Sequence, residues 1–276
     1  MPVLAGLATL AVLALDGQHP QAHKPVTSKY TYNDDVFPIF RDQCGRCHAP
    51  GAAVPMSLLT YQDARPWAES IREELTSERM PPWDVDPSGP SVRGGHPINA
   101  RDIDTIVTWA TGGTPEGSPG KRPAPAAPRA RWPAGPPDLT LVMDREHTVA
   151  SSLAEETVDF SWPTAAGATK WVKAVDLLPG TASMVRDAVV SIENGAVLAT
   201  WIAGDDPVAA PPGAAFRLPA GATIRLRVHY RKPWQEAQIA MSDRSTVGLY
   251  FTDPPGPGAE IQTLVITGRP AGTLGG

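Results

Sequence analysis

At 276 residues, with 42% hydrophobic content, the chain is long enough for about two domains and has the apolar material for packed cores. A net charge of −5 argues against a nucleic-acid or anionic-membrane partner. The 31 prolines and 25 glycines point to turn-rich structure and long connections rather than a helical bundle.

Residues 1–29 read as a signal-like segment and tail. The apolar run from Pro2 to Leu15 is too short to span a bilayer comfortably but fits the apolar core of a secretory signal. No Lys or Arg precedes Lys24 and no clean A-x-A site follows, and a misassigned start codon would explain the first defect. The alternative is a buried N-terminal segment. Export, to the periplasm or beyond, is the expectation, with no integral membrane segment in the mature chain.

Residues 30–115 carry helical periodicity. Asn33, Asp34 and Asp35 mark a helix start, and Val36, Ile39 and Phe40 form a stripe leading into Cys44, with Pro38 tolerable in the first turn. Thr60 is a candidate N-cap for a second helix bearing Trp67, Ile71 and Leu75 on one face, broken or restarted at Pro66. Asn99 and Asp102 resemble a weak capping box ahead of Ile103, Ile106, Val107 and Ala110, and Gly112-Gly113 stops that helix.

Within this region lies Cys44-Gly-Arg-Cys47-His48, the spacing that covalent attachment of a c-type haem requires. Two thiols add across the porphyrin vinyl groups, and His48, four residues from Cys44, shares its face and can serve as proximal iron ligand. A thioredoxin-like pair would need a βαβ setting, and a structural zinc site about four ligands, whereas this chain has two cysteines and scattered histidines. Both cysteines are thereby spent, leaving none for a disulfide. Met80, in Arg79-Met-Pro-Pro-Trp83, is the candidate distal ligand, because two prolines stiffen its segment. Trp83 is a candidate haem wall, Met56 and His96 are competing ligands, and Met80 as plain core filler is the alternative.

From Thr114 to Pro137 eight prolines punctuate a stretch rich in Ala, Gly and Arg, and residues 116–137 read as a semi-extended linker. Residues 138–276 switch to short strand-like runs at Leu139–Met143, Thr157–Trp162, Trp171–Leu177, Ala188–Ile192, Ala196–Trp201, Ala222–Tyr230 and Ser245–Phe251. Gly, Pro and Asp turns separate them, which predicts a β-sandwich. The whole is then α+β and multidomain: a small all-α domain followed by an antiparallel, jelly-roll-like sandwich.

The stretch from Tyr32 to Gly117 resembles the single-haem cytochrome c domain of bacterial multidomain proteins, through Asp35-Val-Phe-Pro-Ile-Phe40, Cys-x-x-Cys-His, Met80-Pro-Pro-Trp83 and Trp109-Ala-Thr-Gly-Gly-Thr-Pro-Glu-Gly117. The remainder is similar to the C-terminal half of copper type II, ascorbate-dependent monooxygenases, relatives of peptidylglycine hydroxylating and dopamine β-monooxygenases. Trp132–Asp138, Lys170–Val175, Leu218–Ala222, Val228-His-Tyr230 and Arg244–Tyr250 carry that likeness.

The resemblance implies a His-His pair and a later His-x-His where copper binds. This chain has Arg186-Asp187 at the first place and His229-Tyr230-Arg231 at the second, so His229, with Met241 near it, is a weak copper candidate. Guanidinium has no lone pair to offer a metal, and the ligand set argues against copper. His229 is more simply a strand histidine satisfied by a hydrogen bond. Arg186 and Asp187 face opposite ways on a strand as separate surface or pairing residues. Glu155-Glu156 reads as solvated carboxylates in a polar loop, and His147, His19 and His23 belong to no constellation.

The expected function is electron transfer through one covalent haem c to a redox partner protein, with no catalytic residues and a non-catalytic sandwich as docking module. The alternative is a copper monooxygenase supplied with electrons by the tethered haem. A weaker third reading is a haem sensor or a substrate-binding subunit of a larger assembly. Oligomeric state is not legible in the sequence.

Overall fold

A computed structural model describes residues 25–52, 54, 56–82, 97–121, 124 and 130–263. The signal-like run, His19, His23, Trp83, His96 and the middle of the Pro-rich stretch lie outside the described residues. Among the described residues, helices come first and antiparallel sheets follow, an α+β arrangement, and no helix is long and apolar enough to cross a membrane.

The first helix, α1, runs without a break over residues 32–44, and its hydrogen-bond register changes along it. Tyr32–Val36 and Phe40–Cys44 are wide π-type turns flanking Phe37–Ile39. Thr31 caps it by accepting from the Asp34 backbone N–H at 3.3 Å. Pro38 therefore sits mid-helix and not in a first turn. In a regular α register its ring would clash with the carbonyl four residues back, and a wide turn relieves such clashes. The second helix, α2, occupies residues 61–76, and Thr60 caps it by accepting from Asp63 N at 3.1 Å. Pro66 lies in a 3-10 turn, Arg65–Trp67, that joins Tyr61–Ala64 to Ala68–Thr76. The third, α3 (Ala100–Thr111), is capped by Asn99, which accepts from Asp102 N at 2.9 Å, and stops at Gly112.

The three helices bury one apolar cluster containing Tyr32, Phe40, Ile71, Leu75, Ile106 and Trp109. Trp109 meets Phe40 edge-on at 6.2 Å and donates its indole N–H to Pro115 O at 3.1 Å. Residues on both flanks join this unit. Thr27 and Ser28 donate their N–H groups to Gly112 O, and Tyr32 N and Asn33 N bond to Pro115 O and Glu116 O. Lys121, in the Pro-rich stretch, pairs with Asp34 at 2.8 Å.

The strands are β1 (Leu139–Val142), β2 (His147–Val149), β3 (Glu155–Pro163), β4 (Lys170–Leu178), β5 (Val185–Ile192) and β6 (Val197–Ile202). There follow β7 (Val208–Ala209), β8 (Ala215–Leu218), β9 (Thr223–Arg231), β10 (Met241–Asp243), β11 (Thr246–Thr252) and β12 (Glu260–Ile261). One sheet has the order β1-β11-β4-β8-β12, with β7 on β4, and a second has the order β3-β9-β5-β6. A small β10-β2 pair stands apart. Every pairing is antiparallel except β12 with β8. Val172, Val175, Val190, Leu226, Val228 and Leu249 belong to one buried cluster, so the two large sheets share a core.

Strand β9 shows how alternation builds this core. Ile224, Leu226, Val228 and Tyr230 point inward and are buried, while Arg225, Arg227, His229 and Arg231 face outward. On that outer face Asp159 of β3 accepts hydrogen bonds from both Arg225 and Arg227. A register shift between Val185 and Asp187 bulges the start of β5 and brings Asp187 opposite His229.

Candidate functional site

Cys44 is the last residue of α1, and the backbone N–H groups of Cys47 and His48 both turn back to its carbonyl, at 3.1 and 2.9 Å. This is one helical turn, and it carries Cys44 and His48 on a common side. Burial, and secondarily the neighbouring Cys47, pushes the Cys44 thiol up to about 12. Burial also lowers the basicity of His48, against the opposing effect of a hydrogen bond in which its Nδ1–H donates to Met56 O at 3.3 Å. A carbonyl only accepts, so that bond fixes the tautomer and leaves the Nε2 lone pair available. Leu58 N also donates to His48 O at 3.0 Å. Met56 thus acts on His48 through its backbone.

Met80 follows the end of α2, where its N–H bonds to Glu74 O at 3.2 Å. It is half-buried and, like Cys44, packs against the helical core. Arg79 beside it is held by Glu73 and Glu74 at 3.2 and 2.9 Å. Trp83 and His96 fall outside the described residues.

The cysteine turn also meets the sandwich, through the loop that follows β6. Cys47 Sγ donates to Ala203 O at 3.0 Å, and Arg46 Nη1 lies 3.1 Å from Asp206 Oδ2. Between these contacts Gly204 adopts φ +92°, and a Cβ there would stand 2.7 Å from Cys47 Sγ and 2.9 Å from Arg46 O. Ala203 N donates in turn to Arg186 O at 2.9 Å. The Arg186 guanidinium is half-buried, and burial first, then nearby Arg231, lowers its affinity for its proton. Arg186 therefore sits where the sandwich meets the cysteine turn, a position that sequence spacing does not reveal.

On the outer face of the four-stranded sheet His229 Nδ1 is 2.8 Å from Asp187 Oδ2, the hydrogen-bonded strand histidine expected. Its Nε2 faces Glu155 at 3.9 Å. Met241 lies on β10 and packs against the sandwich core. Glu155 and Glu156 are strand residues of β3, which corrects the expectation of a polar loop, and alternation sends them to opposite faces. Glu156 Oε2 is 3.1 Å from His147 Nε2, and the His147 ring stacks on Tyr230 with centroids 5.3 Å apart. His147 thus has a constellation that the sequence reading missed, because its partners come from β3 and β9. Among the described residues no group of three or more His, Cys, Asp or Glu side chains converges as a metal-binding cluster.

No family model matches the chain, and no curated protein matches it either.

Proposed function

We propose that this chain is an exported electron carrier. In this reading one haem c would be held by Cys44 and Cys47, with His48 and Met80 as the residues that would bind its iron and the sandwich as a non-catalytic docking module. The observation that carries the reading is the Cys44–His48 turn with its imidazole locked by the Met56 carbonyl. A proximal histidine needs a neutral ring, one nitrogen bonded to the protein and the other nitrogen open. The residues present fit the group: two thiols on one turn, a histidine kept neutral by burial, and a thioether bordering the same apolar cluster.

A bound haem would supply one-electron chemistry at this site. The chain's own residues hold and shield it. Cys44 and Cys47 would hold the group covalently, His48 and Met80 would bind its iron, and the Met56 carbonyl keeps the His48 ring from rotating. The finer assignment follows: residues 30–115 as a cytochrome c domain, and residues 138–276 as a jelly-roll-like relative of the copper monooxygenase C-terminal half. In that half Arg186 and Arg231 stand where the resemblance implies imidazoles, and a guanidinium has no lone pair for a metal, which supports a structural role for His229 over copper ligation.

Mass spectrometry of the exported, denatured protein tests the reading. It should retain the haem mass on the peptide containing Cys44 and Cys47, and haem freed by acid acetone overturns it. Ferric protein should show the weak near-infrared band of Met ligation, lost in Met80→Ala; a band that survives moves the assignment to another ligand.

A further inference from the structure

We propose that the loop at residues 203–206 is a wall of the haem-attachment turn, through which the sandwich sets the haem's reduction potential. The inference rests on the covalent-haem reading above and adds to it a role for the second half of the chain. Three contacts converge on the turn: Ala203 O on Cys47 Sγ at 3.0 Å, Asp206 on Arg46 at 3.1 Å, and the Gly204 backbone against both Cys47 and Arg46. Two of the three involve Arg46 and do not use the thiol proton, so they are not lost with that proton when Cys47 becomes a thioether.

Gly204 is the positioning residue. Its φ of +92° favours glycine, and its lack of a Cβ lets the loop approach within contact of Cys47. Exclusion of water from the cysteine edge disfavours the more highly charged ferric state and raises the potential. An undocked loop wets that edge and lowers it.

The test uses the full chain, with and without haem, in three variants. Gly204→Ala places a Cβ into Cys47, and Asp206→Lys sets a second cation opposite Arg46. Gly213→Ala is the control, since Gly213 has φ +78° and an added Cβ there meets nothing within 4 Å. It carries the same backbone penalty without the collision.

In haem-free protein, alkylation of Cys47, mapped by peptide mass, should rise roughly tenfold in the two loop variants and stay unchanged in the control. In haem-loaded protein the midpoint potential, read in about 1 M salt so that the charge added by Asp206→Lys is screened, should fall in the same two variants alone. If Gly204→Ala fails to fold, Asp206→Lys decides. Unchanged alkylation in the loop variants overturns the wall, and an unmoved potential with covalent haem in place overturns the tuning. Absence of covalent haem from wild type overturns the electron-carrier reading instead, while the alkylation arm still reports on the wall.

Discussion

Tyr230→Phe removes one oxygen from a buried polar knot that ties β9 to β10 and to the turn before β5. The Tyr230 hydroxyl donates to Asp243 Oδ2 at 3.1 Å, Ser245 Oγ donates to the same oxygen at 2.7 Å, and Thr181 N donates to Oδ1 at 2.8 Å. Tyr230 is 0% and Asp243 1% exposed, so water cannot replace what is removed. A hydrogen bond to a charged group contributes about 1.5–3 kcal/mol. Asp243 keeps two donors in the variant and the ring keeps its packing, which puts the loss near the low end, about 1.5 kcal/mol.

Urea unfolding at neutral pH, compared at constant m-value, measures the loss. A second signature appears in alkali. Burial, then the Asp243 charge and hydrogen bond, raises the Tyr230 phenol well above its ordinary value. With the folded pKa raised, stability is intact below the unfolded pKa of about 10 and declines as pH climbs past it. The decline attributable to this hydroxyl is about 1.4 kcal/mol per pH unit, and Tyr230→Phe should lack it. Tyr32, raised by its own burial and by Asp63, contributes equally to both proteins and cancels. A variant within about 0.5 kcal/mol of wild type, with the same alkaline slope, refutes the reasoning.

Trp109→Ala should cost about 3–5 kcal/mol, because the indole is fully buried and its N–H bond to Pro115 is lost with it. Far-UV circular dichroism in urea reads this, and a loss under about 1 kcal/mol would contradict the packing. Hydrogen bonds from Arg227 and then Arg225 hold Asp159 down to about 2. Its contribution is present above the unfolded value of about 3.8 and fades as pH falls through 2. Asp159→Asn should therefore cost under about 1 kcal/mol at neutral pH, with the difference from wild type fading as pH falls through about 2 and shrunken in about 1 M salt.

All seven strand-like runs marked by alternation are strands, within a few residues at their ends. β2, β7, β10 and β12 were not legible, since two or three residues cannot display a period, and β8 was not because Ala215-Phe-Arg-Leu218 does not alternate. On α3 the aliphatic stripe marked Ile106 and Ala110, yet Trp109 is the largest buried side chain there. The helix caps at Thr60 and Asn99 were readable because the capping residue and its partner are three apart. The Cys44–His48 turn was readable for the same reason, as all its parts are local. Its wall was not, because Gly204 carries no sequence mark of what approaches it. The His229–Asp187 bond likewise depends on which strands pair and on a bulge that shifts their register.

The wall and the turn it covers are far apart in the chain, with 156 residues between Cys47 and Ala203 and 160 between Arg46 and Asp206. Synthesis proceeds at roughly 5–20 residues per second, so the cysteine segment is made about 10–30 s before the loop that covers Cys47. The helical unit needs only residues near 27–121 to satisfy its own hydrogen bonds and core. Cys47 is therefore made well before the loop that encloses it, whereas Cys44 is covered by the helical core itself. The order of the chain thus puts the covered turn first and its cover second.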